Sequence, residues 1–262
     1  MLLRVAQILD GLGLRSLVAK AASLAYPGQR FFVDEAGRWV NEQLEGTIVS
    51  PIIHTTRYRS YRDWALVHWT QYYGLKRGDI ILDLGSGVGE EAVVFSRCIG
   101  PSGRMFAVEA HPGTFECLSE TVRRSGLTNV QPVQCAVGDH DGTATISSGH
   151  AHLANSLLKD GDETVPMLTV DSLVAKLGID RIDFFRTNIE GAERLMLGGM
   201  TNSAAIIRNL CISCHDFVAD AGGDDSFRSK AAVLEWLQDN GFTVLTNHCV
   251  VPPARDNVYA RR

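Results

Sequence analysis

Short apolar runs alternate with segments of helical periodicity along most of the chain. From residue 78 onward, each apolar run predicts a buried strand, and each segment with apolar residues three or four positions apart predicts a helix. The predicted strands cover residues 80–84, 105–109, 130–137, 182–185, 206–214, 243–245 and 257–261. The predicted helices cover residues 90–99, 114–125, 192–200 and 227–240. This alternation predicts an α/β fold with a mostly parallel sheet and helices on both faces.

Two regions depart from the regular pattern. The last two predicted strands are separated by a proline-containing loop, and we expect them to pair antiparallel at the sheet edge. Residues 138–172 are rich in Gly, Asp, His and Thr, which predicts a hairpin and a surface loop. We therefore expect one domain over residues 78–262 and a helical N-terminal extension over residues 1–77.

The predicted extension is rich in aromatic residues, since half of the chain's Phe, Trp and Tyr residues precede Gly74. We expect a helix over residues 61–73 that packs its rings on the sheet. The alternative is a lid whose rings stack on an acceptor such as a sugar. Apolar residues at helical spacing within residues 2–12 predict a helix that docks on the protein body or on a second subunit in a homodimer. The alternative for that helix is peripheral association with a membrane.

The composition is that of a globular chain with a full apolar core. Of the 262 residues, 45% are apolar and 21% are charged, which excludes long disorder. No apolar stretch is long enough to span a membrane, and charges interrupt the first apolar segment, so we expect a cytoplasmic protein with reduced cysteines. The net charge of −5 argues against nucleic acid as a partner.

A glycine-rich loop follows the first predicted strand of the domain, with glycine at positions 85, 87 and 89. Such a loop lets the backbone approach a ligand closely. A dinucleotide-binding loop would need glycine at position 90, where Glu90 stands. Asp83, Glu90 and Glu91 place carboxylates around the loop, which would repel a pyrophosphate and favour a cationic ligand without phosphate. S-adenosylmethionine (SAM) carries an ammonium and a sulfonium, so it fits this field.

Glu109 ends the next predicted strand, 20 residues after Gly89. An acidic side chain at this place can accept hydrogen bonds from both ribose hydroxyls of a nucleoside. The loop and Glu109 together therefore predict a nucleoside site at the carboxyl ends of two neighbouring strands.

Three stretches resemble motifs of known methyltransferases. Residues 81–94 resemble motif I of class I SAM-dependent methyltransferases. The sequences LTVDSL at 168–173 and RIDFFRTNIEGAE at 181–193 resemble the signature of the FkbM family, which is usually close to TLDSL followed by IDFIKIDVEGAE. The resemblance, which extends over about residues 75–262, implies a Rossmann-like sheet of seven strands and O-methyl transfer to hydroxyls of sugars, glycolipids, polysaccharides or macrolides. The family's aspartate at the fourth strand end is Asn188 here, which keeps an acceptor but carries no charge.

We therefore predict a SAM site at the carboxyl ends of the strands. Its predicted residues are Asp83, Gly85, Ser86, Gly87, Gly89, Glu109, Ala110, Ala136 and Asn188.

Methyl transfer to a hydroxyl also requires a group that removes the proton. Glu190 and His215 follow the fourth and fifth strands, and we expect neutral His215 to accept the proton while Glu190 or Mg²⁺ orients the oxygen. Glu190, His215 and Asp216 form a candidate magnesium site. His150 and His152 lie in a loop, where we expect surface histidines; the alternative is that they reach the acceptor.

The leading hypothesis is an O-methyltransferase for a hydroxyl of a saccharide or glycoconjugate, with a small-molecule or oligosaccharide acceptor. One alternative is a methyltransferase for a polyketide or other secondary metabolite. A second is a SAM-binding protein without catalysis, with Asn188 as the trace of lost chemistry. A third is a nucleotide-dependent oxidoreductase, against which the missing glycine at position 90 counts.

Overall fold

A computed structural model describes residues 13–146, 163–251 and 254–262. Its strands are β1 Arg30–Val33, β2 Trp39–Gln43, β3 Gly46–Ser50, β4 Ile80–Leu84, β5 Arg104–Glu109, β6 Val130–Gln134, β7 Ala136–Val137, β8 Gly142–Ile146, β9 Glu163–Leu168, β10 Ile182–Thr187, β11 Ile207–Ser213, β12 Thr243–Leu245 and β13 Asn257–Arg261. Its α-helices are α1 Arg15–Ala25, α2 Tyr58–His68, α3 Glu90–Ile99, α4 Pro112–Arg124, α5 Val170–Leu177, α6 Glu193–Gly198, α7 Asp216–Asp220 and α8 Lys230–Asp239. Every helix in these ranges falls short of the length and apolar character that a membrane span needs.

The central sheet has seven strands in the order β12–β13–β11–β10–β4–β5–β6. Neighbouring strands from β11 to β6 are parallel, and β13 runs antiparallel to both of its neighbours. The predicted α/β fold with a mostly parallel, seven-stranded sheet is confirmed. The last two strands do pair antiparallel, and β13 inserts between β11 and β12.

The strand order reverses beside β4. The chain proceeds from β4 outward to β5 and β6, and later returns to the other side of β4 with β10 and β11. Ligands of open α/β sheets bind in the crevice at such a reversal, outside the carboxyl ends of the strands. The loops that follow β4 and β10 therefore mark the expected site.

Both faces of the central strands are buried. Leu82 and Leu84 belong to one apolar cluster and Ile81 to a second, and all three are 0% exposed. Because helices cover both faces of a parallel sheet, its strands are apolar at successive positions. A charged residue in such a strand, as Asp83 and Arg186 are, needs a buried partner.

A small mixed sheet of three strands follows the carboxyl end of β6. The single strand that was predicted over residues 130–137 is two strands, because β6 pairs in the central sheet whereas β7 pairs with β9. β8 pairs antiparallel with β9, as expected for a hairpin within residues 138–172. His150 and His152 lie outside the described residues, as does the predicted first helix within residues 2–12.

The N-terminal segment contains a three-stranded antiparallel sheet between two helices. Its strands are only four or five residues long, too short to show a clear alternation in the sequence, and we predicted only helix and aromatic residues here. β3 lies on α4, where the backbone N–H of Val49 donates to Thr121 Oγ1 at 2.9 Å and that of Thr47 donates to Ser125 Oγ at 2.9 Å. Val40, Ile48 and Val49 share an apolar cluster with α3.

Candidate active site

The glycine-rich loop turns from β4 into α3 beside the end of β10. Gly85, Gly87 and Gly89 have φ values of 77°, 55° and 93°, a region that favours glycine. A Cβ on Gly85 would lie 2.0 Å from the backbone oxygen of Asn188, so no other residue fits there. The loop therefore exposes bare backbone at the carboxyl edge of the sheet.

Asp83, a predicted cofactor residue, supports this loop from below. Its side chain is 0% exposed, and Oδ1 accepts a hydrogen bond from Arg186 Nη1 at 2.8 Å. Its Oδ2 accepts from the hydroxyl of Ser86, another predicted residue, at 2.6 Å. Arg186 also donates to the carbonyl of Gly85 at 3.1 Å. The carboxylate of Asp83 is thus paired inside the protein, and it shapes the loop.

A tryptophan from the N-terminal segment covers this ion pair. The guanidinium carbon of Arg186 lies 4.1 Å from the ring centre of Trp69, within the range of a cation–π contact. Trp69 Nε1 donates to Glu91 Oε1 at 3.1 Å. Burial raises the pKa of Glu91, although the charge of Arg186 opposes the shift. The guanidinium of Arg186 therefore offsets part of the negative charge that Asp83 and Glu91 bring to the loop.

Glu109 ends β5 next to the loop, as predicted. Its Oε2 accepts from the backbone N–H of Gly87 at 3.0 Å, and its Oε1 accepts from that of His111 at 2.9 Å. Burial raises the pKa of Glu109 to about 7, despite these backbone hydrogen bonds. A carboxyl that titrates near neutrality thus stands where a ribose is expected.

The other predicted cofactor residues line the same edge in different ways. Ala136 is buried in a small apolar cluster, and Ala110 packs against that cluster at half exposure. The backbone N–H of Asn188 donates to the carbonyl of Leu84 at 2.9 Å, which ties the end of β10 to β4. These residues can therefore contribute backbone groups and the shape of the surface to a cofactor site.

His215 lies between two glutamates at the carboxyl ends of β10 and β11. Its Nδ1 is 2.9 Å from Glu193 Oε1, and its Nε2 is 3.5 Å from Glu190 Oε2. His215 and Glu193 are almost fully buried, whereas the Glu190 side chain is 23% exposed. Glu190 has a φ of 52°, which is rare for a residue other than glycine. This conformation costs about 1–2 kcal/mol of backbone strain. Such strain is concentrated at functional sites.

The protonation state of this cluster differs from the expectation of a neutral imidazole. Burial alone would lower the pKa of His215, but the hydrogen bonds and charges of Glu190 and Glu193 raise it to about 10. His215 is therefore an imidazolium at neutral pH, with a proton on each nitrogen. The group of the cluster that can accept a proton and reach solvent is the Glu190 carboxylate.

The predicted magnesium site finds no support in the structure. Asp216 Oδ2 accepts from the backbone N–H groups of Ser229 and Lys230 at 3.0 and 3.1 Å, so it caps the start of α8. The imidazolium of His215 occupies the space between the two glutamates that a cation would need. Across residues 13–146, 163–251 and 254–262, no group of three or more His, Cys, Asp or Glu side chains could hold a metal ion.

Three residues of this region were not singled out from the sequence. Glu193 and Arg186 lie inside the stretch that carries the family resemblance, and Arg186 could have been found as a charge within an apolar strand. Trp69 gave no signal beyond its place among many aromatic residues.

The arrangement fits SAM. The loop has glycine at positions 85, 87 and 89, so its backbone can approach a ligand closely, and Glu109 lies beside it where an acidic side chain can accept from ribose hydroxyls. Glu90 begins α3 beside the loop, where a carboxylate complements a cationic cofactor.

Comparison with known proteins gives relatives that are named as methyltransferases. The hexuronic acid methyltransferase AglP of Haloferax volcanii is 25% identical over 139 residues, which are 52% of this chain and 56% of that protein. A protein-L-isoaspartate O-methyltransferase of Fervidobacterium nodosum is 35% identical over 69 residues, 26% of this chain and 33% of that protein. The matched part of the chain thus spans only about half and a third of the lengths of these relatives.

Among solved structures, fibrillarin of Aeropyrum pernix with bound SAM is 16% identical, with a TM-score of 0.48 over 88% of this chain and 96% of that one. The O-methyltransferase TomG of Streptomyces achromogenes with SAM is 11% identical, with a TM-score of 0.46 over 79% of each chain. The family model of the methyltransferase FkbM domain matches residues 83–244, more than half of the chain. The chain therefore belongs to the methyltransferase FkbM family.

Proposed function

We propose that the protein transfers a methyl group from SAM to a hydroxyl oxygen of a saccharide or glycoconjugate. The observation that supports this most strongly is the cluster of Glu190, His215 and Glu193 beside the glycine-rich loop. Bound SAM supplies a methyl group on a sulfonium, which an oxygen can attack in line. The protein must then position the hydroxyl and take up its proton.

Glu190 is the group that accepts this proton. Its carboxylate is partly exposed and faces the crevice edge, whereas His215 is buried and already charged. The contact with His215 Nε2 orients this carboxylate, which matters because a base must lie within hydrogen-bond reach of its proton.

His215 and Glu193 position Glu190. The imidazolium donates toward Glu190 from Nε2 and to Glu193 from Nδ1, so Glu193 fixes the ring orientation. With both glutamates ionised, the three groups carry a net charge of −1, which becomes zero when Glu190 takes the proton. Charge is thus neutralised at a site that is largely shielded from water.

The saccharide acceptor is supported by the relative AglP, whose name gives a hexuronic acid as substrate. A sugar hydroxyl holds its proton tightly at neutral pH, so a carboxylate base is useful for it. The family assignment removes the oxidoreductase alternative. The strained Glu190 beside a buried ion cluster favours catalysis over SAM binding alone.

The test is methyl transfer from SAM with a labelled methyl group to a panel of saccharides that includes uronic acids. A set of polyketide hydroxyls serves as the comparison. We expect labelled saccharide products whose NMR spectra place the methyl group on oxygen. Transfer only to the polyketides, to nitrogen or to a carboxylate would contradict the proposal.

A further inference from the structure

A loop of the N-terminal segment is held against the start of α3 by three buried or half-buried amide side chains. Asn41 Nδ2 donates to the carbonyl of His54 at 2.9 Å, and Gln29 Nε2 donates to that of Thr55 at 3.3 Å. Gln43 Nε2 donates to the carbonyl of Thr56 at 3.1 Å. Three successive carbonyls are thus bound by side chains of one small sheet and its entry, which fixes the loop.

This loop places His54 on Glu90, the first residue of α3. His54 Nε2 lies 2.5 Å from Glu90 Oε1, and the side chains are 15% and 21% exposed. Burial opposes a charged ring, but the hydrogen bond and charge of Glu90, with the charge of Glu91, raise the pKa of His54 overall. The shift favours protonation of Nδ1, the ring nitrogen that does not contact Glu90.

Two polar atoms near Glu90 are buried and have no hydrogen-bond partner among the described residues. They are Nδ1 of His54 and the hydroxyl of Tyr61, a residue of α2 that is 6% exposed. Burial raises the pKa of Tyr61, and the charge of Glu90 adds to the shift. Buried polar groups without partners are costly, so two of them around one residue indicate a group that arrives from outside.

We propose that His54 and Tyr61 bind the α-carboxylate at the amino-acid end of SAM. Glu109 and the β10–β11 cluster mark the two ends of the crevice for the ribose and the acceptor. The amino-acid arm of the cofactor is then left for the glycine-rich loop and the start of α3, where His54 lies. A histidine and a carboxylate side by side also complement a zwitterion, since the histidine can face the α-carboxylate while the α-amino group faces Glu90.

The inference gives the N-terminal segment a function that lies outside the stretch matched by the family model. It concerns SAM binding alone, so it holds whatever the acceptor is. Thr55 and Thr56 belong to the same loop. Of these three residues, only His54 has a buried side-chain nitrogen or oxygen without a hydrogen-bond partner in the described part of the chain, so we assign the contact to His54.

The test compares two ligands that differ only in the carboxylate, SAM and decarboxylated SAM, by calorimetry. Wild-type protein should bind SAM more tightly. His54→Ala should lose about 10- to 100-fold of this preference, as expected for a hydrogen bond to a charged group, and Tyr61→Phe about 2- to 10-fold. Binding of decarboxylated SAM should stay within about twofold in both variants.

The controls are Tyr58→Phe, which removes the neighbouring tyrosine hydroxyl of α2, and His140→Ala, which removes an exposed histidine. Both should keep the wild-type preference. An unchanged preference in His54→Ala, or equal weakening of both ligands, would overturn the inference because it would assign His54 to loop packing. If His54→Ala does not fold, Tyr61→Phe decides, and an unchanged preference in that variant overturns the inference.

Discussion

Burial decides what each acidic residue of the crevice can do. Asp83 is fully buried and paired with Arg186, so its charge serves the fold and not a ligand. Removing one partner of such a pair lowers the free energy of unfolding by about 3–5 kcal/mol. Glu109 is also buried, but it meets only backbone N–H groups. The carboxyl of Glu109 therefore titrates near neutral pH.

The affinity for SAM should consequently rise with pH through the pKa of Glu109. A raised pKa of about 7 keeps the carboxyl protonated below that pH, and the carboxylate that accepts from ribose hydroxyls dominates above it. Between pH 6 and 8 the ionised fraction grows about tenfold, and calorimetry should show a similar gain. In Glu109→Gln the gain should disappear. An equal pH dependence in that variant would remove Glu109 from the ribose site.

Gly85 allows a steric prediction with a matched control. Gly126 has a similar left-handed φ of 63° against 77° for Gly85, but a Cβ there meets nothing within 4 Å. Gly126→Ala should cost only backbone strain, about 1–2 kcal/mol of unfolding free energy. Gly85→Ala adds a collision with the Asn188 carbonyl and should cost roughly twice as much. Equal losses in denaturant titrations would show that the loop is not closely packed there.

At the scale of secondary-structure elements, the sequence predicts elements with strong hydrophobic periodicity. It does not predict a boundary that depends on a partner strand elsewhere in the chain. α3 begins at Glu90 and ends at Ile99 as predicted, because apolar residues recur at helical spacing and a glycine flanks each end. The strand predicted over residues 130–137 divides after Gln134 because β7 finds its partner in β9, which sequence periodicity cannot reveal.

The site follows the same division. The glycine loop, Glu109, Glu190 and His215 could be proposed from the sequence because strand ends and motifs mark them. The charge of His215 was not foreseen, because it depends on Glu193, which lies 22 positions earlier at the start of α6. His54 was missed because its meaning arises only from contact with Glu90, 36 positions later in the chain.

The N-terminal segment should prove necessary for folding. β3 donates backbone hydrogen bonds to α4, and Val40, Ile48 and Val49, each 0% exposed, cover α3. Deleting residues 1–55 would expose that apolar surface, so we expect loss of the cooperative thermal transition in circular dichroism. A truncated protein that melts normally, binds SAM and fails only in transfer would instead support the acceptor lid.

At the scale of the whole molecule, the described residues supply carboxylates that suit a cationic cofactor and that can accept a proton. The residues predicted to bind Mg²⁺ already contact other groups of the protein. Glu190 faces His215, and Asp216 caps α8. We therefore expect the same rate of methyl transfer after treatment with EDTA as before it. A loss of activity that added Mg²⁺ restores would contradict this and would make Glu190 and His215 candidate ligands again.

The rate of a single turnover in Glu190→Gln tests the central claim most directly. If Glu190 accepts the hydroxyl proton, SAM should bind with unchanged affinity while methyl transfer to a saccharide acceptor slows by about 10²–10⁴-fold. Glu235→Gln, which changes an exposed glutamate of α8, is the control and should react at the wild-type rate. A wild-type rate in Glu190→Gln, with SAM bound and acceptor saturating, would contradict the claim that this cluster moves the proton.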